Sequence, residues 1–168
     1  MAKFSAENIR NVAIIGHSGE GKTSLCEAML FNGKVIDRLG KTADGNTVMD
    51  FDEQEIAKKI SISLASASYI WENTKINIID VPGFYDFEGE VEQAMRAVGG
   101  AILVADANGN ISVGAEKMVN YCIENKVPLI TPTKSNKRLQ KRRTYTYYPL
   151  HTYIVREFFH EKIKRKQA

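Results

Sequence analysis

The chain opens with two hydrophobic patterns in succession, a short run that is apolar on both sides and a helical stripe. The run at 11–16 ends in glycine and is typical of a strand buried in the middle of a parallel sheet. A glycine-bearing turn follows, after which Leu25 and Met29 fall on one face of a helix. We therefore predict a strand, a turn and a helix over about 22–31, with Gly33 as its end.

The middle of the chain predicts a long loop followed by a hairpin. Residues 34–58 are polar and show no period, which is typical of a surface loop. Apolar and small residues alternate over 60–65, which predicts a strand with one wetter face. The next predicted strand is 75–80, and Asn73 with Thr74 can make the turn between the two strands.

Beyond residue 90 the pattern alternates helices with buried strands. Apolar residues recur at helical spacing over 91–98 and again over 115–122, and a pair of glycines closes the first of these helices. Buried apolar runs occur at 101–105 and 127–130. Strands that alternate with helices of this length predict a three-layer α/β fold with a mostly parallel sheet.

Length and composition narrow the class of protein further. With 168 residues, 43% of them hydrophobic, the chain can bury one core. It has no apolar stretch of about 18 residues and no secretory pattern at its start, so we expect no membrane span and a cytoplasmic location. The two cysteines, Cys26 and Cys122, fall at apolar helical positions, which predicts buried thiols instead of a disulfide or zinc site.

The segment that joins the first predicted strand to the first helix matches G-x-x-x-x-G-K-[ST] in full. It comprises Gly16, His17, Ser18, Gly19, Glu20, Gly21, Lys22 and Thr23, and Ser24 follows it. Its glycines let backbone N–H groups converge on phosphate oxygens at a helix N-terminus, while His17 and Glu20 are expected to act only through their backbone. Lys22 would reach the β- and γ-phosphates, and the Thr23 hydroxyl would ligate Mg²⁺. The pattern predicts a nucleoside triphosphate site; an incidental glycine turn is the alternative.

A second candidate anchor stands at the end of the predicted strand 75–80. It consists of Asp80, Val81, Pro82 and Gly83. The carboxylate of Asp80 could hold a water on Mg²⁺, and the N–H of Gly83 could bond the γ-phosphate; an ordinary turn is the alternative. The acids that follow, Asp86, Glu88, Glu90 and Glu92, begin a helix, where the helix dipole explains them better than a metal site does.

Four stretches resemble the G domain of elongation factor G and, more narrowly, the elongation-factor-G-like translation GTPases, which include the ribosomal protection proteins. They are 16–24, 59–64, 76–92 and 100–130. The resemblance covers about residues 8–130 and implies a P-loop NTPase fold that binds GTP or GDP with Mg²⁺. In a full-length parent protein it implies coupling of nucleotide state to the ribosome. By resemblance, residues 34–62 are switch I and residues 80–92 are switch II.

The resemblance also assigns a role to Ser61. In the family a switch I threonine ligates Mg²⁺, and Ser61 occupies the aligned position with its hydroxyl retained. The alternation over 60–65 equally fits Ser61 on the wet face of a strand, so both interpretations stay open at this point. The candidate Mg²⁺ ligands are thus Thr23, Ser61 and Asp80.

The chain departs from the family pattern in three places. In the family, the residue directly after the glycine equivalent to Gly83 is a histidine that positions the attacking water, whereas Phe84 offers no hydrogen bond. The residues expected closest to catalysis are Lys22, Gly83 and Phe84. The change at Phe84 predicts slow hydrolysis. In place of the guanine-reading Asn-Lys-x-Asp motif the chain has Thr-Lys-Ser-Asn at 133–136, which predicts weak base selection. After Ile130 the pattern ends, so we expect a sheet that is incomplete at its C-terminal side.

The segment 131–168 differs sharply from the rest in charge. Residues 1–130 carry 12 Lys and Arg against 18 Asp and Glu, whereas 131–168 carry 11 against 2 together with four of the seven tyrosines. Such a basic, Tyr-rich tail predicts nonspecific RNA binding through 134–166. A changed reading frame or a cut gene near residue 130 is the alternative that the abrupt change of pattern favours. In a third interpretation the chain does nothing by itself, because an incomplete sheet leaves an unpaired edge.

Overall fold

The computed structural model describes residues 4–83, 88–105 and 112–130. Its strands are β1 (Ile9–Ile15), β2 (Ala65–Trp71), β3 (Thr74–Asp80), β4 (Gly100–Leu103) and β5 (Leu129–Ile130). Its helices are α1 (Lys22–Asn32), α2 (Glu53–Lys58), α3 (Glu88–Ala97) and α4 (Val113–Glu124), with short 3₁₀ turns at Ala6–Asn8 and Thr42–Asp44.

The strands form one sheet in the order β2-β3-β1-β4-β5. β1 pairs in parallel with β3 and β4, and β4 pairs in parallel with β5, whereas β2 and β3 are antiparallel. The mostly parallel sheet and the hairpin are therefore confirmed. The hairpin turn is Glu72-Asn73, because Thr74 is already the first residue of β3, and Glu72 adopts a left-handed φ of 53°.

Both faces of the central strand β1 are buried, which produces three layers. Successive side chains of a strand point to opposite faces, so Ile14 serves one core and Ile15 the other. The first core joins β1, β2 and β3 to the buried hydrophobic residues of α1, which are Cys26, Met29 and Leu30. The second core joins β1 and β4 to residues of α3 and α4, which include Val91, Ala94, Met95, Ala115, Met118, Val119 and Cys122. The predicted three-layer α/β fold is confirmed, and both cysteines are buried and free as expected.

Residues 34–58 form the predicted loop only as far as residue 52. Besides the 3₁₀ turn they contain α2, which begins with a capping box. The carboxylate of Asp52 accepts the N–H of Gln54 at 2.7 Å, and the Glu55 carboxylate accepts the N–H of Asp52 at 3.3 Å. The spacing Asp-x-x-Glu is itself a sequence signal for a helix start, although a six-residue helix is too short to show a period.

The predicted strand over 60–65 is wrong in position, because β2 begins only at Ala65. The N–H groups of Ile62 and Ser63 donate to Oε1 of Glu55 at 2.8 Å and 3.0 Å. Backbone donors that a buried carboxylate captures are not available to a sheet ladder. Ser61 therefore does not lie on the wet face of a strand.

Two more helices are confirmed, and several other predictions concern residues outside the described ranges. α3 and α4 lie where the helical stripes predict them, and β4 begins at Gly100 directly after the glycine that closes α3. Phe84, the 133–136 motif and the basic tail lie outside the described residues, as does the part of the sheet expected to be incomplete. Within the described ranges, no helix is long and apolar enough to cross a bilayer.

Candidate functional site

The loop between β1 and α1 has a backbone shape that requires glycine. Gly16 has a φ of 147°, and a Cβ there would collide with the carbonyl oxygen of Val104 at the end of β4. Gly21 has a φ of 91° and is the N-cap of α1. Because α1 starts at Lys22, the loop leads straight into a helix N-terminus, the end of a helix that favours anions.

Lys22 is a buried cation at the centre of this loop. Its side chain is only 6% exposed, and its ammonium donates to the carbonyl oxygen of His17 at 2.9 Å. Burial lowers the pKa of Lys22, and the negative charges of Asp80 and Glu20 oppose that shift. The ammonium is therefore held where an added anion would stabilise its charged form.

Glu20 shapes the loop through its side chain as well, while its expected lack of a chemical role stays a prediction. Its Oε2 accepts the N–H of His17 at 2.7 Å. The N–H and the C=O of His17 are thus held by Glu20 and Lys22 respectively, which closes the loop on itself. Ser18 is half-buried in the same loop, while Gly19, Gly21 and Ser24 are more open to solvent.

The hydroxyls of Thr23 and Ser61 lie 3.2 Å apart, although 38 positions separate the residues along the chain. Ser61 also donates to Oδ1 of Asp50 at 2.7 Å. Two neighbouring oxygen ligands of one Mg²⁺, each at about 2.1 Å from the ion, would lie about 3 Å apart. The spacing of the two hydroxyls therefore fits the cation that the sequence implies.

Asp80 ends β3 beside this hydroxyl pair. It is 1% exposed, and neither of its carboxylate oxygens has a hydrogen-bond partner among the described residues. Burial raises the pKa of Asp80 to about 6, while the nearby Thr23 hydroxyl and Lys22 ammonium oppose the rise. A buried carboxylate without partners is costly, so it suits a place where a cation or its bound water supplies the missing contacts.

Gly83 packs directly on the phosphate-loop backbone. A Cβ at this position would lie 2.5 Å from the amide nitrogen of Ser18 and 2.7 Å from the carbonyl carbon of His17, and it would collide with Nζ of Lys22. Val81 and Pro82, which connect Asp80 to Gly83, are fully buried. The two motifs, distant along the chain, thus meet in one place, as the phosphate-binding chemistry requires.

Several acids that the sequence patterns did not assign to the site hold switch I in position. Glu27, Asp50 and Glu55 are all buried and accept hydrogen bonds from within residues 34–63. Glu90, expected only to favour the helix dipole, also accepts the N–H of Leu64 at 3.0 Å. Within the described part of the chain, no three His, Cys, Asp or Glu side chains are grouped to hold a metal. The capping-box spacing of Asp52 and Glu55 is a signal for Glu55, whereas no hydrophobic period marks Asp50 as buried.

Comparison with known proteins identifies a family for this chain. Residues 7–140 match the model of the elongation factor Tu GTP binding domain. The elongation factor G-like protein of Mycobacterium tuberculosis is 40% identical over 120 residues, which are 71% of this chain and 17% of that protein. Elongation factor G of Mycoplasma genitalium is 39% identical over 124 residues, 74% of this chain and 18% of that protein. The chain thus spans less than a fifth of the length of these relatives.

Solved structures agree on the fold. A crystal structure of a protein from Thermus thermophilus superposes with a TM-score of 0.70 and 28% identity over 73% of this chain and 19% of that one. Translation elongation factor SelB from Methanococcus maripaludis, solved with the GTP analogue GppNHp, gives a TM-score of 0.55 at 20% identity over 78% of this chain and 22% of its own, which shows the fold alone. The chain therefore belongs to the elongation factor Tu GTP-binding domain family and corresponds to the G-domain portion of longer, elongation-factor-G-like translation GTPases.

Proposed function

We propose that the described site binds GTP and GDP with Mg²⁺. The observation that carries the proposal is the meeting of the two motifs: a buried lysine in a glycine loop, an unpartnered buried carboxylate, and Gly83 closing on the loop backbone. A triphosphate with its cation would satisfy both buried charges.

The loop residues would divide the work of binding. Lys22 would neutralise the β- and γ-phosphates, and the backbone of residues 16–21 with the α1 N-terminus would contact the phosphate oxygens. Because Gly83 has no Cβ, its backbone can lie close to Lys22, and its N–H would contact the γ-phosphate. Since Lys22 as a whole is only 6% exposed, its attraction for phosphate is weakly screened by water.

The chemistry of the oxygen donors fits Mg²⁺. Thr23 and Ser61 would bind it through their hydroxyls, and Asp80 would hold a bound water. When bound there, Mg²⁺ would offset the negative charge that develops during phosphoryl transfer. Ser61 comes from switch I and Thr23 from α1, so the order of switch I would depend on the bound nucleotide, a recurring device for switching.

In the whole protein we propose GTP hydrolysis coupled to the ribosome in the cytoplasm. The support is membership in a family of translation elongation factors. Hydrolysis by this chain is proposed to be slow, because Phe84 stands where the family has a water-positioning histidine. RNA binding through 134–166 rests on charge pattern alone and stays a prediction.

Lys22→Ala is the direct test of nucleotide binding. Losing a charge-assisted contact to phosphate is expected to weaken binding of a labelled GTP analogue by roughly 10- to 100-fold. The measurement is a fluorescence titration with Mg²⁺, run in parallel with ATP to measure base selection. Lys41→Ala, which truncates an exposed lysine, is the matched control and should bind like wild type. Equal, weak binding by wild type and Lys22→Ala would contradict the proposal.

Asp80→Asn is expected to stabilise the nucleotide-free chain near neutral pH. The folded-state pKa of Asp80, about 6, exceeds its ordinary value of 3.8, so ionisation costs stability above about pH 6 and nothing below about pH 4. Removing the charge should raise the free energy of unfolding by about 1–2 kcal/mol at about pH 7.

The pH dependence separates this effect from a general change in packing. In urea unfolding with a chelator present, the advantage of Asp80→Asn should shrink as the pH falls from about 6 to about 4. The exposed Asp37→Asn is the control and should show no such trend. A variant that is less stable than wild type at neutral pH would show that Asp80 has a stabilising partner.

A further inference from the structure

We infer that Glu27 is a positioning residue that fixes switch I to α1 and thereby sets the Ser61 hydroxyl against that of Thr23. The inference deepens the proposed function and rests on it for the identity of the ligand. Nothing in the phosphate-loop pattern points to Glu27, which lies four residues beyond the last residue of that pattern.

The carboxylate of Glu27 binds three backbone N–H groups of switch I. Its Oε1 accepts those of Val48 at 2.6 Å and Met49 at 3.4 Å, and its Oε2 accepts that of Gly40 at 3.2 Å. Glu27 is 0% exposed, so water cannot replace these bonds. We call Glu27 and these three amides the Glu27 clamp. Charge-assisted bonds inside a protein hold their partners more firmly than neutral ones do.

Gly40 lies so close to the Glu27 clamp that the loop has no room for a side chain at this position. A Cβ there would lie 2.5 Å from Oε2 of Glu27, 2.8 Å from Cα of Thr47 and 2.9 Å from the carbonyl oxygen of Asn46. Two of these three neighbours are backbone atoms, which cannot move aside as a flexible side chain can. Any larger residue at Gly40 would therefore push switch I away from the Glu27 carboxylate.

The register of α1 places the clamp on the same helix face as the proposed cation ligand. Thr23 and Glu27 are related as i and i+4, which stacks them one turn apart. Thr23 would hold the cation, and Glu27 holds the loop that carries the second hydroxyl. One rigid helix thus fixes both ends of the arrangement.

A chain of hydrogen bonds leads from the clamp back to Thr23. Met49 is followed by Asp50, a residue only 4% exposed, and Oδ1 of Asp50 accepts the Ser61 hydroxyl at 2.7 Å. The Ser61 hydroxyl then lies 3.2 Å from that of Thr23. The path begins and ends on α1, so it forms a closed ring through switch I.

The other flank of Ser61 is held independently. Glu55 binds the N–H groups of Ile62 and Ser63 through Oε1, as described for the fold. Glu55 therefore limits how far the segment around Ser61 can move away from Thr23, while Glu27 determines the position of Asp50. Loss of the Glu27 clamp should loosen the Ser61–Thr23 spacing without unfolding the sheet.

Glu27→Gln tests the clamp with a minimal change of shape. The substitution replaces one carboxylate oxygen by an NH₂ group that faces a backbone N–H donor. At least one of the hydrogen bonds of the Glu27 clamp must therefore break. We expect roughly tenfold faster hydrogen exchange across residues 40–49, with exchange in β1 and β3 unchanged. Gly40→Ala should accelerate the same amides without a change of charge, which keeps the test available if one variant folds poorly. Glu53→Gln neutralises an exposed acid of the same segment and is the control.

The cation readout separates positioning from a general structural role. The Mg²⁺ concentration for half-maximal binding of a labelled GTP analogue should rise roughly tenfold in Glu27→Gln, with Mg²⁺-free GDP binding unchanged. If Glu27 acts through Ser61, Glu27→Gln should add nothing to that requirement in a Ser61→Ala background. An equal effect in both backgrounds would overturn the inference, as would equal losses of GTP and GDP binding.

The clamp and the proposed function can fail separately. A wild-type chain that binds no nucleotide would contradict the proposed function, while faster exchange in Glu27→Gln would still support the clamp. Normal exchange over 40–49 in both Glu27→Gln and Gly40→Ala would overturn the clamp whatever the nucleotide affinity proves to be.

Discussion

Phe84→His is expected to accelerate GTP hydrolysis by about a hundredfold, the lower end of what a positioned acid–base group contributes. Phe84 has no atom that can orient or accept a proton from the attacking water. A histidine at this position, directly after Gly83, would supply the water-positioning side chain that the family resemblance implies there. Because the ring acts on water and not on the bound phosphates, nucleotide affinity should stay close to that of wild type.

Single-turnover hydrolysis at saturating protein measures this effect apart from product release. Phe84→Leu is the matched control, since it changes size and shape while adding no hydrogen-bonding group. If Phe84→His is no faster than Phe84→Leu, the missing histidine does not limit hydrolysis in this chain. Glutamine at the same position would show whether orientation of the water is enough without a basic nitrogen.

Gly83→Ala is expected to weaken triphosphate binding by about a hundredfold or more, because misplacing a binding group by about 1 Å has effects of that size. The added methyl would collide with the Lys22 ammonium and lie 2.5 Å from the Ser18 amide nitrogen. Either the phosphate loop or switch II must move, and both carry proposed ligand contacts. The free energy of unfolding should also fall, by about 1–3 kcal/mol as in other overpacked interiors.

Gly89→Ala provides the matched control for that substitution. Gly89 lies in α3 on the same switch segment, and a Cβ there has no neighbour within 4 Å. Alanine in a helix is favoured over glycine by about 0.5–1 kcal/mol, so this variant should be slightly more stable and bind nucleotide normally. Titrations and thermal melts of the two variants, measured side by side, check both expectations. Normal binding by Gly83→Ala would mean that the close approach of Gly83 to the loop does not matter for phosphate.

The phosphate loop could be predicted from the sequence because its determinants are local. The positions of Gly16 and Lys22 between an apolar strand and a helical stripe define both the fold of the segment and its chemistry. The register of the sheet then brings Asp80 to the same edge, since β1 and β3 are parallel neighbours with Ile14 opposite Asp80. Carboxyl ends of parallel strands meet at one edge, which is why two distant motifs could be paired in advance.

Switch I could not be predicted in the same way, because hydrogen bonds to buried carboxylates shape it, including that of Glu27 in α1. The alternation over 60–65 predicts a strand, but Glu55 captures the N–H groups of Ile62 and Ser63 before the ladder begins at Ala65. The location of Ser61 beside Thr23 depends on these bonds and on the bond from Ser61 to Asp50. Resemblance to the family indicated Ser61, whereas Glu27 and Asp50 needed the structure.

The two buried cysteines give the chain a built-in chemical reporter for its two helical layers. Cys26 lies in the core on the α1 side of the sheet and Cys122 in the core on the opposite side. Burial raises the pKa of the Cys26 thiol well above its ordinary value and that of Cys122 to about 12, so neither reacts while its layer is closed. With no other cysteine in the sequence, the rate at which an alkylating reagent modifies each thiol measures how often that layer opens. If nucleotide binding reduces opening on the α1 side alone, alkylation of Cys26 should slow while that of Cys122 stays unchanged.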